Sequence, residues 1–89
     1  MATVFKDSAF RHGLGERDYA EVLRNANLVF RSRRGYANVY EILGRNEAGA
    51  YLHVITRRFR RGREKIAIVF HIGRMNDADR RRFSDLVKQ

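Results

Sequence analysis

From Leu28 onward the apolar residues of this chain recur at every second position, and that period constrains the fold more than any other feature. The segments Leu28–Arg33, Tyr36–Leu43, Tyr51–Phe59 and Lys65–Ile72 are rich in Val, Ile, Tyr and Phe. Branched and aromatic side chains of this kind suit a pleated, half-buried surface. Turn signals separate the segments at Arg34-Gly35, from Gly44 to Gly49, and from Arg60 to Glu64 around Gly62. Connections this short join antiparallel neighbours, because a parallel pair needs a long crossover.

Helical spacing flanks the strands. Asp7 or Ser8 can cap a short helix that stops at Gly13, a residue type favoured just past a helix end. A second helix is expected from about Glu16 to Ala26, with Tyr19, Val22, Leu23 and Ala26 as its apolar stripe and Glu16 and Asp18 at its positive N-terminal end. Asn76 then caps a final helix to about Lys88, with Asp77 and Asp79 in the first turn and Phe83, Leu86 and Val87 on the core side. The expected fold is α+β, a single domain over residues 1–89 in the order ααββββα. It has an antiparallel sheet of about four strands with the helices packed on one face.

Composition narrows the function classes. The chain has 89 residues, room for one modest core, and no cysteine, which excludes disulfides, thiolate metal sites and cysteine nucleophiles. No apolar stretch approaches the ~18 residues of a membrane span, and Met1 to Lys6 lacks the features of a signal peptide. A cytoplasmic protein without membrane contact is expected. Nineteen Lys and Arg oppose ten Asp and Glu, a net charge of +9. Residues 1–30 balance four basic side chains (Lys6, Arg11, Arg17, Arg24) against four acidic ones (Asp7, Glu16, Asp18, Glu21), so the excess lies entirely beyond them. Sixteen of the nineteen cations are Arg, whose planar fork grips phosphate in two places. A positive potential focused on one part of the surface points to nucleic acid.

Matching the apolar sides of the strands gives a candidate site. In the last hairpin Leu52, Val54 and Thr56 belong beside Ile72, Phe70 and Ile68, which sets His53 opposite His71 on the other face. In the preceding hairpin Tyr40 and Ile42 belong beside Val54 and Leu52, which sets Glu41 opposite His53. The expectation is a row Glu41–His53–His71 flanked by Tyr51, Ile55, Arg57 and Val69. Two histidines beside a carboxylate and an arginine suit acid–base chemistry, with the guanidinium stabilising charge on a phosphate during attack by an RNA 2′-hydroxyl. The same set matches the two-His-one-carboxylate pattern of some metal sites, and it equally fits polar residues on a half-solvated sheet face. Around the last turn, Arg57, Arg58, Arg60, Arg61, Arg63 and Lys65 form a cluster of six cations with Phe59 available to stack on a base. A solvated, charged turn that protects a sheet edge has the same composition. Arg81, in the run Arg80-Arg81-Arg82, lies opposite Phe83 and should point outward. His12, at a helix end, reads as a dipole partner or packing residue.

Three stretches carry a family resemblance across nearly the whole chain. They are His12-Gly13-Leu14 ahead of an acidic helix, Leu43-Gly44-Arg45-Asn46-Glu47-Ala48-Gly49-Ala50-Tyr51-Leu52, and the run from Val69-Phe70-His71-Ile72-Gly73-Arg74-Met75-Asn76 through Arg80-Arg81-Arg82-Phe83. Together they resemble the BrnT-like toxins of the RelE/ParE superfamily of type II toxin–antitoxin systems. In many relatives the last stretch reads His-Ala-Arg, an acidic residue, Met-Thr, two variable residues, Glu-Arg-Arg-x-Tyr. His71 and Met75 agree with it, whereas Gly73 stands where relatives usually carry Arg and Arg74 takes the acidic position. The resemblance implies a small α+β ribonuclease that slows translation and is held inactive by an antitoxin. His71 and His53 are then the acid–base candidates, Glu41 orients a histidine, and Arg74, Arg57 and Arg81 bind phosphate. No metal or other cofactor is expected. The partners are a cognate antitoxin, in a toxin–antitoxin hetero-oligomer, and RNA or ribosome-associated mRNA. A non-enzymatic basic module that binds nucleic acid or a protein target is the second hypothesis.

Overall fold

The computed structural model describes residues 2–33 and 37–87. Five strands form one mixed sheet in the order β1-β5-β4-β3-β2. They are β1 (Ala2–Phe5), β2 (Asn27–Arg31), β3 (Val39–Arg45), β4 (Tyr51–Arg61) and β5 (Glu64–Arg74). Strands β2 to β5 run antiparallel to their neighbours, as expected, but β1 adds a parallel edge strand beside Ile66–Val69. The expected ααββββα order is corrected accordingly. The sequence opens with a strand, and the first expected helix is a single 3₁₀ turn, Asp7–Phe10. Neither Asp7 nor Ser8 caps that turn: Lys6 occupies the cap position without a side-chain bond, and Ser8 Oγ donates instead to the Phe70 carbonyl at 2.8 Å. The turn signal at Arg34-Gly35, the strand start at Tyr36 and the end of the last helix at Lys88 lie outside the described residues.

The two α-helices cover opposite faces of the sheet, not one. Tyr19 and Val22 of α1 (Glu16–Arg24) pack with Ile42, Leu52, Val54, Val69 and Ile72. Phe83 of α2 (Asp77–Val87) packs with Leu43 and Met75, against Leu28, Phe30 and Tyr51. Ile42 and Leu43 are successive residues of one strand, so their side chains leave opposite faces. Each helix buries a narrower stripe than its periodicity suggests: Leu23 stays 40% exposed, Leu86 42% and Val87 48%. The cap expected at α2 is made, and α1 has a side-chain bond at its N-terminus as well. Asp18 Oδ2 accepts from the Gly15 amide at 2.8 Å, and Asn76 Oδ1 accepts from the Asp79 amide at 2.8 Å.

The acidic residues of α1 hold the β3–β4 turn. Asp18 Oδ1 accepts from Asn46 Nδ2 at 3.1 Å, and the buried Glu21 accepts from the Glu47 amide at 2.9 Å. Much of the negative charge in the first thirty residues is thereby spent on structure, away from the open part of the sheet. Gly44 lets α1 approach this closely. A Cβ there would lie 2.8 Å from Val22 Cγ1 and 3.2 Å from Asn27 Cβ. Neither contact is the loose end of a long side chain, so Gly44→Ala must push helix and strand apart. We expect a loss of about 1–3 kcal/mol, read as a lowered urea midpoint with unchanged slope.

The registers differ from expectation in a regular way. Two residues, Gly62 and Arg63, connect Arg61 to its partner Glu64, and Gly62 supplies the φ of +61° that such a tight turn needs at its first position. This shifts the β4–β5 pairing by one residue from a loop centred on Gly62. A bulge between Ile55 and Thr56 then adds a second step. Ile55 pairs with His71 and Thr56 with Val69, leaving Phe70 unopposed. Val69 consequently points into the core and is fully buried, not beside the histidines, while Ile68 lies opposite Arg57. Phe70 is half-buried at the bulge instead of opposite Val54.

Candidate active site

The face of β3–β4–β5 carrying Leu43 is only partly covered by α2, and the expected row lies on it. Glu41 pairs with Ile55, Ile55 with His71, and His53 with Gly73. No two members of the row stand directly opposite one another. Each expected pairing is displaced by two residues, which preserves the face, and the side chains meet diagonally. Glu41 Oε1 lies 2.7 Å from His53 Nε2. An ionised carboxylate only accepts, so the imidazole Nε2–H donates. The side chains are 13% and 11% exposed respectively. In such a partly dry setting a charged hydrogen bond holds an imidazole firmly. The His53 and His71 rings follow edge to face at a centroid distance of 5.5 Å.

The bulge explains how His71 faces this row while Val69 fills the core. Without the extra residue, positions 69 and 71 would share a face. The Ser8 bond to the Phe70 carbonyl fastens the bulge to the 3₁₀ turn. That turn brings a residue that sequence reasoning assigned elsewhere: the His12 ring lies 5.0 Å from His71, again edge to face. His12, His71, Gly73 and Arg74 line a cleft of about 400 Å³. No periodicity reaches a residue in a turn, so the sequence signals for His12 are its place in the His12-Gly13-Leu14 stretch of the family resemblance and its being one of three histidines.

Gly73 makes room for His71. A Cβ at position 73 would lie 2.7 Å from His71 Nε2 and 2.8 Å from Cε1. The imidazole therefore lies across the strand over a bare backbone, a close approach that only glycine permits. Arg74, exposed at the strand end, joins the same cleft from the next position.

The remaining candidates separate into groups. Arg57 is exposed on the histidine face, opposite Val39 and Ile68, with its guanidinium 5.8 Å from the Phe59 ring. Arg58 leaves the other face, half-buried, 5.9 Å from the Tyr40 ring. Arg60, Arg61, Arg63 and Lys65 are exposed at the far end of the hairpin, all but Arg63 within the strands. They form a cationic tip, apart from the histidine row. Arg81 is exposed on α2, as expected. Its neighbours are engaged: Arg80 lies 4.4 Å over Tyr51 and Arg82 3.9 Å over Phe30, fastening α2 to the sheet by cation–π contact.

Among the described residues, no helix is long and apolar enough to cross a membrane. Comparison with known proteins gave no matching family model, and no curated protein or solved structure was found to be significantly similar.

Proposed function

We propose that this protein is the toxin of a toxin–antitoxin pair and acts as a metal-independent endoribonuclease that inhibits translation. The observation that carries the reading is the bond between Glu41 and His53, 2.7 Å long, beside His71. A carboxylate–imidazole pair next to a second imidazole is an arrangement suited to moving protons near neutral pH. Cleavage by an RNA's own 2′-hydroxyl needs a base, an acid and a cation for the phosphate, and histidines and arginines supply all three.

In this reading His71 exchanges the proton, and the Glu41–His53 pair, with His53 buried, positions it. Arg74 neutralises the phosphate. Arg57 and the tip residues Arg60, Arg61, Arg63 and Lys65 hold the flanking strand, with Arg58 and Arg81 as further phosphate contacts. A cytoplasmic antitoxin in hetero-oligomeric complex would cover the open face, since a free ribonuclease would harm its host. The family resemblance and the +9 charge support this account.

The experiment is direct. Purified protein should cleave single-stranded RNA, and its binding to RNA should weaken steeply with salt because binding releases phosphate counterions. Replacing Arg57 and Arg61 by alanine should flatten the log–log salt plot by about 0.7 per lost contact. A flat salt response in the parent protein, or growth arrest on induced expression with total RNA intact, would leave the non-enzymatic module as the better account.

A further inference from the structure

We infer that the scissile phosphodiester is held in the cleft of His12, His71 and Arg74, and that His12 is the second catalytic residue, the acid that protonates the leaving oxygen. This rests on the ribonuclease reading above and deepens it. His53 is the obvious partner for His71 by sequence, yet it is only 8% exposed and its Nε2 is engaged by Glu41. A substrate phosphate cannot readily reach both it and His71. His12 is exposed, its ring is 5.0 Å from His71, and the two share a cleft with a guanidinium. Bare backbone at Gly73 forms part of the cleft wall, so no side chain at that position limits the approach of a phosphate.

The polarity of the row assigns the roles. The order along it is Glu41, His53, His71, His12. A general base becomes an imidazolium, which a nearby carboxylate favours. His71 lies nearer the carboxylate end and takes the proton from the 2′-hydroxyl. The 2′-oxygen then forms its bond to phosphorus, and the bond from phosphorus to the 5′-oxygen breaks. His12, at the other end, delivers a proton to that departing 5′-oxygen. The products are a 2′,3′-cyclic phosphate and a free 5′-hydroxyl, and no water, metal or co-reactant is consumed. Arg74 faces the charge that builds on the non-bridging oxygens.

The test uses two substrates. One is an RNA oligonucleotide. The other is a ribonucleoside 3′-aryl phosphate, whose phenolate departs without needing a proton. His12→Ala should cleave the oligonucleotide about a hundredfold more slowly, in line with general acid–base contributions, and the aryl ester at nearly the parent rate. His12→Gln, which keeps a polar side chain in the turn, should behave the same way. His71→Ala should be slow on both. Parent-like cleavage of RNA by both His12 variants overturns the inference, as does an equal loss on the two substrates. Failure of the parent protein to cleave either substrate would overturn the ribonuclease reading instead.

Discussion

His71→Ala is expected to lower single-turnover RNA cleavage by about 10³-fold or more and to abolish growth arrest, while RNA binding and the thermal midpoint stay close to the parent's. The expectation follows from where the ring sits. It is half-buried on the open face, between the His53 ring at 5.5 Å and the His12 ring at 5.0 Å, and every proposed proton transfer passes through or beside it. General acid–base residues contribute about 10²–10⁴ in rate, and loss of His71 also removes the group that Glu41 and His53 position. The strand stays in place because the backbone of β5 is held by pairing to β4 and by the Ser8–Phe70 bond, neither of which uses the imidazole. Binding persists because the cations of the hairpin are untouched. Glu41→Gln, which removes the charge but little volume, should produce a smaller rate loss of the same kind. A fully active His71→Ala would move the site away from this face, and the Arg57–Lys65 hairpin would be the next candidate.

The face of the sheet that carries the candidate site was legible in the sequence because side chains alternate along strands. Glu41, His53 and His71 all fall on the side opposite Ile42, Val54 and Ile72, and a register error of two residues leaves that unchanged. The opposite-neighbour assignments were not legible. They depend on whether Gly62 is the centre of a loop or the first residue of a two-residue turn, and on a bulge at Phe70 that no local pattern announces. The bulge is fastened instead from a distance, by a serine 62 positions earlier in the chain. Val69 lies between that turn and the bulge, so the one-residue offset of the turn alone puts it on the other face.

Tertiary context also decided what the N-terminal segment became. Ala2–Phe5 contains good strand formers but is only four residues long. It becomes a strand because the edge of Ile66–Val69 is available to pair with it, and Phe5 then packs edge-on against Tyr19 at 5.4 Å. The split of the helices across the two faces was hidden for a related reason. Both helices show an apolar stripe, but a stripe does not say which face of a two-sided sheet it will meet. Val39, Ile42 and Leu43 are all buried, so β3 offers apolar residues to both sides and each helix takes one. His12 entered the site by the same route, through the 3₁₀ turn laid against β5.

Gly73→Ala should reduce RNA cleavage by about a hundredfold or more while leaving stability nearly unchanged, and Gly73→Arg should lower the cleavage rate at least as much. The second half of that expectation runs against the family resemblance, in which relatives usually carry arginine at this position, so that Gly73→Arg would restore the common residue. The geometry argues otherwise. Any Cβ at position 73 would sit 2.7 Å from His71 Nε2 and 2.8 Å from Cε1, with His12 Cδ2 at 3.6 Å. These are atoms at the far ends of side chains, so the His71 ring can give way without moving the backbone, in contrast to the clash that Gly44→Ala creates against Val22 and Asn27. Swinging aside takes the imidazole out of the cleft it shares with His12 and Arg74, and a misplacement of about 1 Å can cost a hundredfold in rate. Replacement of a strand glycine by alanine also tends to stabilise by a few tenths of a kcal/mol up to about 1 kcal/mol through the unfolded chain, which offsets the repacking. The two glycine variants should therefore separate cleanly: Gly44→Ala shifts the urea midpoint, whereas Gly73→Ala shifts the cleavage rate. In the proposed mechanism Gly73 and Arg74 act as a pair, the glycine admitting the ring and the displaced arginine supplying the charge. Gly73→Arg with full or increased activity would show that a guanidinium at position 73 is worth more to the chemistry than the present place of His71, and would overturn the assignment of that ring.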